Sequence, residues 1–136
     1  MKIMLEELSK KPRRAHETDA GLDLYSREEK IIPAKSSATF NTGVHIQLPP
    51  DTVGLLCSKS GLNINKGITT TGVIDEGYTG SIIVKAYNNS DEDYKVELHD
   101  KITQLLVLPI LKPELELTTT FEKTARGDKG LGSSGK

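Results

Sequence analysis

The chain has 136 residues, enough for one domain, and 18 basic against 19 acidic side chains give a net charge of -1. That balance excludes a generally basic nucleic-acid binder and an acidic disordered tail. Aromatics are only 4% and Trp is absent, so the core must rest on aliphatics, and the 6 Val, 11 Ile and 13 Thr favour pleated sheet over a helix bundle.

Read in chain order, the first residues leave two readings. Ile3, Met4 and Leu8 make either one helical stripe or a first strand. Runs with strand character then follow at 22–25, 29–32, 38–41, 44–48, 52–57, 68–74, 81–87, 94–98 and 102–108. Turn signals separate them, among them Thr42-Gly43, Pro49-Pro50-Asp51, Ser60-Gly61, Glu76-Gly77 and His99-Asp100. Residues 62–66 allow a single helical turn. Many short strands with closely spaced turns predict an all-β sandwich or barrel. The tail, RGDKGLGSSGK from Arg126, has four glycines and one apolar side chain and cannot add to a core. It is either a floppy terminus or an arm ordered by a bound anion. The single cysteine, Cys57, forms no intrachain disulfide, and no apolar run is long enough to span a bilayer. No signal peptide is evident at the start. The expectation is a soluble, cytoplasmic protein.

Four internal segments carry chemistry. In Ala20-Gly21-Leu22-Asp23-Leu24, strand alternation puts Asp23 on the face opposite the two leucines. Ser58-Lys59-Ser60-Gly61-Leu62 sets a lysine, hydroxyls and a tight turn at a strand end, which suits either a phosphate nest or a polar turn. It lacks the glycine spacing of a Walker loop. Gly72-Val73-Ile74-Asp75-Glu76-Gly77-Tyr78-Thr79-Gly80 reads as a hairpin with a shaped pocket, and its adjacent carboxylates would point to opposite faces of a strand. In His99-Asp100-Lys101-Ile102-Thr103-Gln104-Leu105, Gln104 lies on an apolar strand and needs a hydrogen-bond partner. The three histidines and lone cysteine are too scattered for a zinc site, and no nucleophile elbow supports a Ser-His-Asp triad.

Taken in order, these segments and the tail resemble the five motifs of the trimeric deoxyuridine triphosphatase (dUTP pyrophosphatase) family. That pattern reads approximately AGxDL, RSGL, GxIDxxYxG, GDRIxQ and RGxGGFGSTG. Here it stands as AGLDL, SKSGL, GVIDEGYTG, HDKITQLLVLP and RGDKGLGSSG. The resemblance implies a jelly-roll-like distorted β-barrel subunit over 1–125 and a flexible arm over 126–136 that closes over the site. It also implies a homotrimer with three sites at subunit interfaces, and hydrolysis of dUTP to dUMP and pyrophosphate with Mg²⁺. That reaction keeps uracil out of DNA and supplies dUMP for thymidylate synthesis. Asp75 matches the catalytic carboxylate that aims water at the α-phosphorus, and Tyr78 the ring that packs on the deoxyribose. Thr69, Gly72, Val73, Ile74 and Leu131 match base and sugar contacts. Lys59, Ser60, Gly61, Gln104, Arg126, Gly132 and Ser133 match phosphate contacts. Asp23 matches a ligand that holds Mg²⁺ through water.

Four departures stand out. Lys59 replaces the family's usual arginine and loses its two-pronged fork. Leu131 replaces a phenylalanine that stacks on uracil. Lys129 replaces a glycine in the arm, while Thr69 stands where many members carry asparagine. The rival enzyme is a dCTP deaminase of the same superfamily, and the second rival a β-rich interaction module. A regulatory protein partner is not readable from one sequence. No nucleic-acid or membrane partner is expected.

Overall fold

The computed structural model describes residues 1–130. Nine strands and one short helix follow in order: β1 (Lys2–Leu5), β2 (Leu22–Tyr25), β3 (Lys30–Ile32), β4 (Ser37–Gln47), β5 (Thr52–Cys57), α1 (Ser60–Lys66), β6 (Ile68–Ile74), β7 (Ser81–Asn88), β8 (Tyr94–Val96) and β9 (Lys101–Pro109). The fold is all-β and jelly-roll-like, as expected. Its main sheet runs β1-β4-β7-β6-β5-β9-β2, and β3 pairs with β8 in a separate ladder.

Side-chain alternation explains which way each strand faces. In β7, Ile82, Val84, Ala86 and Asn88 are buried while Ile83, Lys85 and Tyr87 face out. Most of the core is aliphatic, with Phe40 fully buried among Leu24, Ile32, Val44, Val84 and Leu105. The first residues form strand β1, paired with the end of β4. The turn predicted at Thr42-Gly43 is instead a bulge inside the continuous strand β4. Between Asn41 and His45, β4 advances four residues while its partner β7 moves from Ile83 to Ser81, two. The insert is therefore two residues, an even number, and Phe40, Thr42, Val44 and Ile46 all stay inside. Gly43 takes φ +62 there, and buried Thr42 donates its hydroxyl to the Ile82 carbonyl at 2.8 Å.

Beyond Pro109, residues 110–130 form no helix or strand, and Leu111, Leu115, Leu117 and Phe121 are almost fully exposed. No described helix is long and apolar enough to cross a membrane.

Candidate active site

Strand β6 changes partners halfway along. Ile68, Thr69 and Thr70 pair with β7, whereas Thr71, Gly72, Val73 and Ile74 pair with β5. At the crossover the Ser58 hydroxyl stands in for the strand that has ended. It accepts from the Thr70 amide at 2.9 Å and donates to the Thr70 carbonyl at 3.1 Å. Past Thr70 the β7 side of β6 has no strand pairing, so its peptide groups there face away from any ladder. The span 68–74 is thus one forked strand, and the turn of the hairpin lies beyond it at 75–80. Gly72 packs closely on β5, since a Cβ there would lie 3.1 Å from Leu56 Cδ1 and the leucine would have to give by a few tenths of an ångström.

Asp75 follows β6 directly and is exposed. The amide of Tyr78 donates to its carbonyl at 3.0 Å and closes a four-residue turn. Glu76 has a different environment. Its Oε2 accepts from the Asp51 amide at 3.0 Å and from Lys112, and these hydrogen bonds, Lys112 first, hold its carboxyl below the usual range. The two neighbouring carboxylates are distinguished by a turn, rather than by opposite faces of a strand. Tyr78 lies back over Gly80, where a Cβ would fall 2.5 Å from the phenol oxygen, and its hydroxyl donates to the Ser81 carbonyl at 2.8 Å.

A second cluster is assembled at the other end of the β5–β6 ladder. Cys57 is the crossing point, opposite Thr71 on one side and Gln104 on the other, and Gln104 in turn faces Asp23. Gln104 finds a backbone partner, donating from Nε2 to the Ser58 carbonyl at 3.0 Å. Gly21 leaves room for that amide, because a Cβ there would sit 2.4 Å from Gln104 Oε1. Asp23 is 4% exposed and faces Lys59 on Oδ1 and Lys101 on Oδ2, the latter at 2.7 Å. Burial pushes its carboxyl up, but the hydrogen bonds from Lys101 and Lys59 outweigh it, and the result lies below the ordinary value. Lys101 is raised in return. Ser60 and Gly61 open α1 next to Lys59, and Gly67 ends it with φ +67. Thr69, half-buried on β6, accepts from the Asn89 amide at 3.2 Å.

Sequence reasoning missed Lys101, Lys112 and Glu76's anchoring role. Lys101 had no signal in the sequence, because alternation alone suits a solvated Asp23, and its burial against β9 appears only in the structure. Lys112 had none, because its partners lie 36 and 61 residues away in the chain.

The two clusters lie at opposite ends of the β5–β6 ladder. Asp75 lies four residues beyond Thr71 along β6, or roughly 13 Å. Arg126 is exposed, and among the described residues it bonds only locally, donating from Nε to the Lys129 carbonyl at 3.1 Å. Leu131, Gly132 and Ser133 lie outside the described residues. For Mg²⁺, the donor set is a single buried carboxylate, and among the described residues no group of three or more His, Cys, Asp or Glu could cage a metal. Such a set fits an ion that arrives on phosphate oxygens and keeps its waters, with one protein carboxylate behind them.

The fold that carries this forked strand and these two clusters is shared, as a whole, with known nucleotide hydrolases. A family model described as dUTPase matches residues 8–135, and the chain belongs to that family. It is 43% identical over 127 residues to the deoxyuridine 5'-triphosphate nucleotidohydrolase of Clostridium acetobutylicum, covering 91% of this chain and 88% of that one. To the Yarrowia lipolytica protein of the same name it is 37% identical, covering 96% and 85%. Among solved structures, the Staphylococcus bacteriophage 80alpha dUTPase with dUPNHPP superposes with a TM-score of 0.91 at 31% identity, covering 98% and 97%. A mutant dUTPase of S. aureus phage phi11, described with a structural Mg(II) ion, gives 0.83 at 29% identity, covering 90% and 98%.

Proposed function

We propose that this chain hydrolyses dUTP to dUMP and pyrophosphate, at sites shared between the subunits of a homotrimer. The observation that carries the reading is the forked strand β6, whose peptide edge is released from β7 after Thr70 and runs to Ile74, directly before Asp75. Free peptide donors and acceptors on that edge, along Gly72, Val73 and Ile74 with Thr69 near the fork, suit the edge of a uracil. A cytosine there would leave a donor facing a donor, and a buried mismatch of that kind is rejected strongly. Tyr78, laid over Gly80, walls the sugar and leaves no space for a 2′-hydroxyl.

Asp75 would hold the attacking water and take its proton. The water oxygen bonds to the α-phosphorus, the bond from that phosphorus to the bridging oxygen of the β-phosphate breaks, and pyrophosphate leaves. Glu76 is tied to Asp51 and Lys112, which leaves Asp75 as the carboxylate free to act. Lys59, Ser60, Gly61 and Gln104 would bind phosphates. Their distance from Asp75 within one chain supports a site completed by a neighbouring subunit. Asp23 would hold Mg²⁺ through water, and the ion would supply charge neutralisation along the phosphates. The arm, taken as 126–136 after a domain of 1–125, would bring Arg126, Leu131, Gly132 and Ser133 over the nucleotide. The lone Cys57 supports a reducing, cytoplasmic setting.

A nucleotide panel (dUTP, dTTP, dCTP and UTP, each with and without Mg²⁺) tests the reading. Pyrophosphate release confined to dUTP is expected, and ammonia release from dCTP would replace it with the deaminase. Asp75→Asn should keep dUTP affinity within about threefold and slow turnover by about three orders of magnitude. Parental turnover in that variant would remove Asp75 from the role of base.

A further inference from the structure

His45 projects from β4 opposite Ser81 of β7, its side chain 18% exposed. Nδ1 lies 2.9 Å from the carbonyl oxygen of Thr79, and Nε2 lies 2.8 Å from Oε1 of Glu6. A peptide carbonyl only accepts. The Glu6 carboxylate also takes Arg27 Nη1 on its other oxygen, and the hydrogen bonds from His45 and Arg27 hold it below the usual carboxyl range, so it accepts as well. A neutral imidazole has one N–H for these two acceptors, whereas the imidazolium has one for each.

We propose that His45 is a positioning residue that works as the imidazolium, stringing the turn that carries Tyr78 to the N-terminal segment that carries Glu6, and so fixing the sugar wall of the pocket. The inference rests on the dUTP reading of that pocket. Thr79 is the next residue after Tyr78, and the turn is otherwise pinned at its far end, where Glu76 meets Asp51 and Lys112. Besides these contacts and the Tyr78 hydroxyl on the Ser81 carbonyl, one mooring of the turn therefore depends on the second proton of His45.

The charged groups around the ring set that proton's affinity. Glu6, and then the Thr79 carbonyl, raise it, while desolvation and the Arg27 guanidinium lower it, and the net direction is up. Lys2 of β1 lines the same surface groove. From β7 the ring meets Ser81, which does not titrate, and the turn brings Tyr78. When the proton leaves, the bond to the carboxylate is charge-assisted and is kept. The Nδ1 lone pair then faces the Thr79 carbonyl, and that mooring is lost. The contribution of His45 is complete below the ordinary histidine value and disappears as pH rises through the raised value of the folded protein.

NMR titration of the three histidines, with His45 assigned by His45→Gln, tests this on the assembled full-length protein. His45 should titrate above about 6.5 and Glu6→Gln should lower it, with N–H signals at both ring nitrogens at acid pH. In kinetics, His45→Gln should raise KM for dUTP about three- to tenfold at pH 6, the worth of one hydrogen bond, with kcat within about twofold. Parental KM should climb across the pH range of the NMR titration, and that climb should vanish in His45→Gln. A His45 that titrates at or below the ordinary value, or a KM profile shared by parent and variant, would overturn the inference. Tyr78→Ala keeps the two readings apart. If it leaves the preference for dUTP over UTP intact, the pocket assignment itself falls. If it abolishes the preference while His45→Gln matches the parent, the His45 inference alone falls.

Discussion

Asp23→Asn isolates the electrostatics that hold β2 against β9. The replacement keeps the shape and removes the charge, leaving the ammonium groups of Lys59 and Lys101 side by side with no counter-ion. Removing one member of a buried ion pair costs about 3–5 kcal/mol. Here the carboxylate is buried, but the lysine side chains are 26% and 39% exposed, and water recovers part of the loss. The expected destabilisation is about 2 kcal/mol, or about 6–8 °C in Tm for a domain of this size. Denaturant unfolding of parent and variant at one protomer concentration measures it. The sign with pH is also fixed. Burial raises the Asp23 carboxyl but the two lysines lower it further, so its contribution is complete above the ordinary aspartate value and is lost as pH falls through the depressed one. The gap between parent and variant should be full at pH 7 and close as pH falls below the ordinary aspartate range. A variant within about 0.5 kcal/mol of the parent at pH 7 would refute the reasoning, as would a gap that acid leaves unchanged.

Gly21→Ala should drive the Gln104 amide off the Ser58 carbonyl, since the new Cβ falls 2.4 Å from Oε1 and 3.1 Å from Gln104 Cβ. A loss of about 1–2 kcal/mol is expected from the broken bond and the strained rotamer, read by thermal unfolding together with a higher KM for dUTP. Deleting 126–136 should leave Tm within about 2 °C and lower kcat/KM at least about a hundredfold, because Arg126 and its described neighbours touch no part of the core. A truncated chain that fails to fold, or one with full activity, would contradict that expectation.

The sequence made most of the sheet legible, and the reasons are local. β2 and β5 are rich in apolar residues and β6 is β-branched at every position but Gly72, all are bounded by glycine or polar turns, and their ends stand where the pattern placed them. The Thr42-Gly43 bulge was misread as a turn because a left-handed glycine looks the same in either setting, and only pairing with β7 tells them apart. The motif residues Lys59, Gln104 and Asp23 do gather. What the chain could not announce is contact between distant segments: Lys101 on Asp23, Lys112 on Glu76, Glu6 on His45. Each is an unremarkable surface charge in one dimension, and only strand order brings its partner within reach.

The stretch after Pro109 leaves the single chain with apolar surface to hide. Leu111, Leu115, Leu117 and Phe121 stand in water on a segment with no strand or helix of its own. Covering four such side chains is worth about 6–10 kcal/mol. A freshly synthesised chain that has met no companion wears its greasiest residues on the part of the backbone that is easiest for a chaperone or protease to grip.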